Sequence, residues 1–579
     1  MKKFILSSLS CLCIISGNLS AEIINEEQLT KRVHAHMVIG DYSEACNEAF
    51  VGLQTYPASK ILWQAYLRAL AKAGDEKGLM ANWRLFIKKF PGEACNREML
   101  ECLAWAVIEN GSISASPGIR AISLLGAYFS QDAKGVALLK QGLSDNNSFL
   151  RAAALKLSSN LADASLQEGV LRLFKEEKVW NVRLEAIKAI GQLALEVSRD
   201  ALTTIIAQQN SSAEEKAAAI QALVAMSDEM ERVQIKNLIQ SDRAGLRLLA
   251  CELIAHFEQN QDVDLLLPLL RDHHAEVRAK ALEVIGQLRI KFIGKLPVVE
   301  LAIGCINDSD AFVGVMAAWV ITLNDPERGM PAFVSFLSHE CREVRHAAAA
   351  ALAATGKYGV PLALKTFNSS QDQYVRMNLA IGLIGQRTQT LEACHCLYEA
   401  LQSKERWMWE EGSFFRILAP SILKHDDAIP NYPEAINQLV RLNILEMLAI
   451  VHYPKTQQAV KGFLQERTWG LSGMASVLLL TEGDENAVDL VKALLQDNEQ
   501  KVRMQAALIL ALWGKGEEAI NVLQEAYPSA DKELKGQILE GIGRVGSTDS
   551  LLFLADKLQE PYQSLRIVAA AALLECLYH

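Results

Sequence analysis

The stretch "DHHAEVRAKALEVIGQL", residues 272–288, supports two readings. His273 and His274, with Glu276 close by, are side chains of the types that ligate zinc or iron, so one reading is a metal site at a loop-to-helix corner. The other is structural. Val277, Ala281, Ile285 and Leu288 recur every three or four residues, which places them on one stripe of a helix that has to be buried against something.

Sister copies elsewhere in the chain decide between the two. "DNNSFLRAAALKL" begins at Asp145, "VRLEAIKAIGQL" at Val182, "EVRHAAAAALAAT" at Glu343, "KVRMQAALILALWG" at Lys501 and "SLRIVAAAALLECL" at Ser564. Arg247 and Arg278 are 31 residues apart, as are Arg345 and Arg376, and Gly314 stands in the arginine's place between the two pairs. Six residues before the arginine many copies carry an acid: Asp145 for Arg151, Glu177 for Arg183, Asp272 for Arg278, Asp497 for Arg503 and Glu560 for Arg566. The places of His273 and His274 are filled by Asn146 and Asn147 in one copy and by Asn498 and Glu499 in another, so they read as loop positions rather than ligands. Small residues after the arginine, such as Ala348 and Ala349, are expected to let neighbouring helices approach. Upstream runs such as "VDLLLPLLRD" and "SLLFLADKLQE" supply a first helix for each copy. A single helix pair cannot bury its own apolar face, so the copies must stack.

The iterated unit resembles HEAT repeats, in particular the short HEAT-like type also found in bilin lyases. The resemblance implies an all-α fold, a right-handed α-solenoid of stacked helix pairs over residues 121–402 and 439–579. It also implies that the acids and arginines named above form a ladder tying adjacent repeats together. It says little about function. The segment 22–92 has its own period: Gly40 and Gly74 are 34 residues apart, as are Pro57 and Pro91. With Trp63, Leu67, Leu70, Leu79, Trp83 and Phe86 on two helical stripes it resembles a short tetratricopeptide array, joined to the solenoid by a helical connector at 93–120.

The N-terminus reads as a secretory signal peptide over residues 1–21: Lys2 and Lys3, an apolar run from Phe4 to Ile15, then Ala21 at the expected cut. The readings that stay open beside it are a lipoprotein or an uncleaved anchor. No later run is long enough to span a bilayer, and the expected location is outside the cytoplasm, most simply a periplasm. A net charge of −10 is the wrong sign for wrapping nucleic acid. The cysteines are scattered and read as buried small hydrophobes, although Cys95 and Cys102 are close enough to form a short disulfide loop.

No phosphate loop, nucleophile elbow or paired-histidine metal motif is present. The di-iron hydroxylases built from such repeats need four His-Glu dyads, and here His339 and Glu340 stand alone. Cys394, His395 and Cys396 point apart on a helix, one cysteine buried and the other partly exposed. The period breaks at residues 403–438, where Trp407, Trp409, Phe414 and Phe415 either anchor a partner or fill a distorted repeat, and at residues 289–299, which bring in Arg289, Lys291 and Lys295. The expectation is a non-catalytic scaffold without cofactor, binding a protein partner along the concave solenoid surface, with an enzyme subunit or an envelope spacer as alternatives.

Overall fold

A computed structural model describes residues 25–208, 210–226, 230–258, 260–402, 433–465, 485–514 and 516–578. The leader and the aromatic residues Trp407, Trp409, Phe414 and Phe415 lie outside the described residues. The chain divides into two compact units, the first ending at Asn110 and the second starting at Gly111. Among the described residues no helix is long and apolar enough to cross a membrane.

In the first unit, Glu26–Ile39 pairs with Tyr42–Thr55 and Lys60–Lys72 with Glu76–Lys89. Each pair turns at a glycine in the left-handed region, Gly40 (φ 78°) and Gly74 (φ 74°). An aspartate follows and accepts a free amide of the next helix: Asp41 from Glu44 N at 3.2 Å, Asp75 from Gly78 N at 2.9 Å. The 34-residue period is therefore a period of turn chemistry. Leu67, Leu79, Trp83 and Phe86 are buried, but Trp63 is only half-buried, and Leu62 and Tyr66 take the inner face beside Leu67. The indole explains the difference, because its Nε1 donates to Pro57 O at 3.0 Å in the preceding turn.

In the second unit, first helices such as Ala164–Glu176 and Leu551–Lys557 alternate with second helices such as Trp180–Gln192, Ala275–Gln287 and Gln500–Leu512. Val182, Ala186 and Ile190, and likewise Val277, Ala281 and Ile285, form buried stripes. Glycines mark a particularly close approach between second helices. A Cβ on Gly191 would lie 2.5 Å from Ala222 Cα, and one on Gly286 would lie 2.2 Å from Trp319 Cζ3. The interruption at 289–299 is a β-hairpin, with Phe292 opposite Pro297 and Ile293 opposite Leu296.

The last helix of the array, Gln563–Tyr578, packs against its sequence neighbour Lys532–Val545 on one side and against Pro117–Ser130, at the head of the same unit, on the other. Tyr578 Oη donates to Asp132 Oδ2 at 3.4 Å across a separation of 446 residues. The terminal helix has the composition this requires. Leu565, Ile567, Ala569 to Leu574, Cys576 and Leu577 are all buried, so it lacks the polar outer face that caps an open solenoid. Deleting residues 563–579 is therefore expected to speed amide exchange at both ends of the array, in Pro117–Ser130 as well as Lys532–Val545, with a lower thermal midpoint. Loss of protection confined to Lys532–Val545 would mean that the two ends do not support each other.

Candidate binding surfaces

Where a second helix carries the arginine after its first apolar residue, as at Arg151, Arg278, Arg503 and Arg566, the side chain has a fixed position. One Nη donates to the carbonyl six residues back: Arg278 to Asp272 O at 2.7 Å, Arg151 to Asp145 O at 3.0 Å, Arg503 to Asp497 O at 2.7 Å and Arg566 to Glu560 O at 3.0 Å. The sequence pair six residues apart thus meets through backbone. The carboxylate partner comes from the following repeat. Arg151 bonds Glu177 at 2.7 Å, Arg183 pairs with Glu215 at 2.7 Å, Arg247 grips Asp272 at 2.6 and 2.9 Å, and Arg278 grips Asp308 at 2.8 and 2.6 Å. The ladder also includes Arg120, which pairs with Asp145 at 3.3 Å ahead of the boundary expected at residue 121. Lysines serve further on, with Lys461 at 2.9 Å from Asp497 and Lys535 at 3.7 Å from Glu560.

Each acid has a second role. Asp272 Oδ1 accepts His274 N at 2.9 Å, Asp308 Oδ1 accepts Asp310 N at 2.9 Å and Glu177 Oε1 accepts Val179 N at 2.9 Å, where the next helix begins. Hydrogen bonds from Arg151 and Arg278 hold the Glu177 and Asp308 carboxyls below the usual carboxylate range. At Asp272 burial pushes upward, and the bonds from Arg247 and His274 outweigh it, so that carboxyl is also low.

The residues that suggested metal chemistry are dispersed. His273 is exposed beside Asp272, and His339 Nδ1 accepts Cys341 N at 3.0 Å. Cys394 and Cys396 are both buried, contrary to the expectation of one partly exposed thiol. Their helix, Thr390–Gln402, is covered by Gln373–Gly385 on one side and by Pro433–Ile450 and Thr456–Gln465 on the other. Burial raises the Cys394 thiol to about 11. Cys95 and Cys102 are thiols, not joined by a disulfide.

The second helices, expected to offer a concave surface to a partner, leave little side-chain surface open in the middle of the array. Ala244–His256, Ala275–Gln287 and Ala311–Asn324 are buried around nearly their whole circumference. Even charged groups are enclosed there: Lys280 Nζ lies 3.3 Å from Glu252 and 2.9 Å from Glu283, all three at most 5% exposed. What remains open is the rim where second helices begin. Phe149 is 57% exposed, Trp180 50% and Tyr562 55%, with Phe312 at the matching place in its own repeat. These aromatics sit within four residues of the ladder position, and sequence reasoning missed them because a single aromatic in a turn carries no periodic signal.

The fold and ladder define an all-α solenoid of stacked helix pairs. The model for HEAT repeats matches residues 298–384 and 487–574, so those stretches are HEAT repeats. Similar solved structures include the UNC-45 chaperone, described as critical for binding and folding muscle myosin (14% identity, 91% of this chain and 76% of that one, TM-score 0.32). Others are Kap121p bound to Pho4p (12%, 96% and 76%, TM-score 0.34) and yeast importin-β, Kap95p (14%, 81% and 72%, TM-score 0.34). No curated protein matches the sequence.

Removing a shared carboxylate should cost more than removing an exposed one. Asp308→Ala, which strands Arg278, is expected to lower unfolding stability in urea by about 1–3 kcal/mol. Glu300→Ala, which breaks the exposed pair with Arg328, should shift the urea midpoint much less. Because the folded Asp308 carboxyl is depressed, the gap between wild type and Asp308→Ala should be full above the unfolded value of about 4 and close as pH falls through the lower folded one. A gap that widens on acidification would contradict the ladder's electrostatic role.

Proposed function

We propose that the chain is an exported, non-catalytic scaffold that holds a polypeptide partner along its repeat array. The observation that carries this reading is the rim. Phe149, Trp180, Phe312 and Tyr562 stand in solvent two to four residues before the ladder position of four separate repeats. Aromatic side chains in solvent bury a large area on contact at low entropic cost, and several such anchors near the starts of second helices suit an extended polypeptide. The HEAT repeats support the scaffold reading, and the closed inner layer shifts the contact from the concave face to its edge. Export rests on the leader-like run from Lys2 to Ala21, with a periplasm as the compartment, and the acidic balance favours a polypeptide over nucleic acid.

Photo-crosslinkers placed singly at Phe149, Trp180, Phe312 and Tyr562 in living cells should yield one common polypeptide adduct, and Trp180→Ser should reduce its recovery about tenfold. Val334 and Leu552, exposed on first helices, are the controls. Adducts formed there and not at the rim would place the contact on the outer layer and sink the reading.

A further inference from the structure

The hairpin at residues 289–299 adds nothing that stacking requires. Ile290, Ile293 and Val298 are buried and pin its base, Val298 N donates to Lys291 O at 3.0 Å, and Gly294 (φ 62°) makes its turn. Everything beyond that base faces solvent. Phe292 is 61% exposed and Leu296 49%, and Arg289, Lys291, Lys295 and Pro297 are exposed around them. Among the described residues none of the three cations has a carboxylate partner, and the nearest acid along the chain, Glu300, is held by Arg328 at 2.8 Å. In a chain of net charge −10, whose arginines are repeatedly paired, three adjacent unpaired cations around two solvent-facing apolar side chains form a local inversion of the surface.

We propose that this hairpin is a docking finger for an acidic polypeptide segment that carries an apolar side chain. Cations and apolar groups within one turn match a ligand that offers both, and opposite charge guides the encounter while Phe292 and Leu296 supply the buried contact. An anionic bilayer offers the same two chemistries but fits less well. Laying the finger on an extended negative surface would bring the rest of an acidic chain against it, whereas a short acidic segment meets only the finger. The inference rests on the protein-binding reading and names the chemistry of one partner, yet it does not depend on the rim.

The test uses the full-length chain. A labelled peptide of Asp and Glu residues around a central Leu-Phe pair, a basic peptide of the same pattern, and phosphatidylglycerol-containing vesicles are each titrated with wild type, with Lys291→Glu/Lys295→Glu and with Phe292→Ser/Leu296→Ser. All four positions are exposed, so unchanged helical circular dichroism and thermal midpoint serve as the folding control. The acidic peptide should bind wild type, more weakly as salt rises, and each double variant should weaken it about tenfold or more. Absence of binding, equal binding by wild type and variants, or variant-sensitive binding of vesicles alone would overturn the proposal. The rim crosslink is read separately. If it survives in both hairpin variants while the peptide fails, the finger is wrong and the scaffold stands, and if both fail, the protein-binding reading fails with them.

Discussion

The structure depends on a carboxylate used twice. Asp272, Asp308 and Glu177 each accept an amide at the start of their own repeat's second helix and a guanidinium from the repeat before. A repeat that rotated or slid against its neighbour would lose the inter-repeat bond, for which the local amide bond holds the carboxylate in place. Charge-assisted bonds of this kind are among the stronger hydrogen bonds, and partial burial shields them from salt. Stacking angle is thereby set repeat by repeat, by a group about one-tenth exposed, while the apolar stripe supplies most of the driving force without specifying register.

The two ends of the array meet over small side chains. Ser114, whose carbonyl accepts from Arg120, stands in the acid's place at the head. Ser123, Gly126 and Ala127 on the head helix and Ala569 to Ala572 on the terminal one are buried. Close approach of this kind gains dispersion contacts. It also removes the need for capping repeats, since each end covers the other's apolar face.

Burial of the inner helices redirects the functional question. A second helix that is apolar all round, as Ala311–Asn324 is, has no face left for a ligand. On the proposed reading, recognition falls to the turns, where the backbone already departs from the repeat: the rim aromatics and the basic hairpin. Solenoids commonly keep variability there, because turn residues change without disturbing the stack. Glu575, on the terminal helix between Glu540 and Arg544 of its neighbour, shows what charge costs inside the stack, its carboxyl being pushed up to about 7 by burial.

The helix pairs and the buried stripe of Val277, Ala281 and Ile285 were legible in the residues alone, because a 3.6-residue period and a repeated acid and arginine are local signals. The turn glycines Gly40 and Gly74 were legible for the same reason. Which acid each arginine holds was not, since a residue six positions away in sequence meets the arginine through its carbonyl while the carboxylate arrives from the next repeat. Nor were the burial of both Cys394 and Cys396, the half-buried position of Trp63, or the rim of Phe149 and Trp180, all of which depend on what lies across a gap that spacing cannot measure. Closure is the clearest case. The all-round apolar character of Gln563–Tyr578 was present in the sequence, but its second neighbour lies more than four hundred residues away, and only the accumulated rotation of every repeat between them brings the two together.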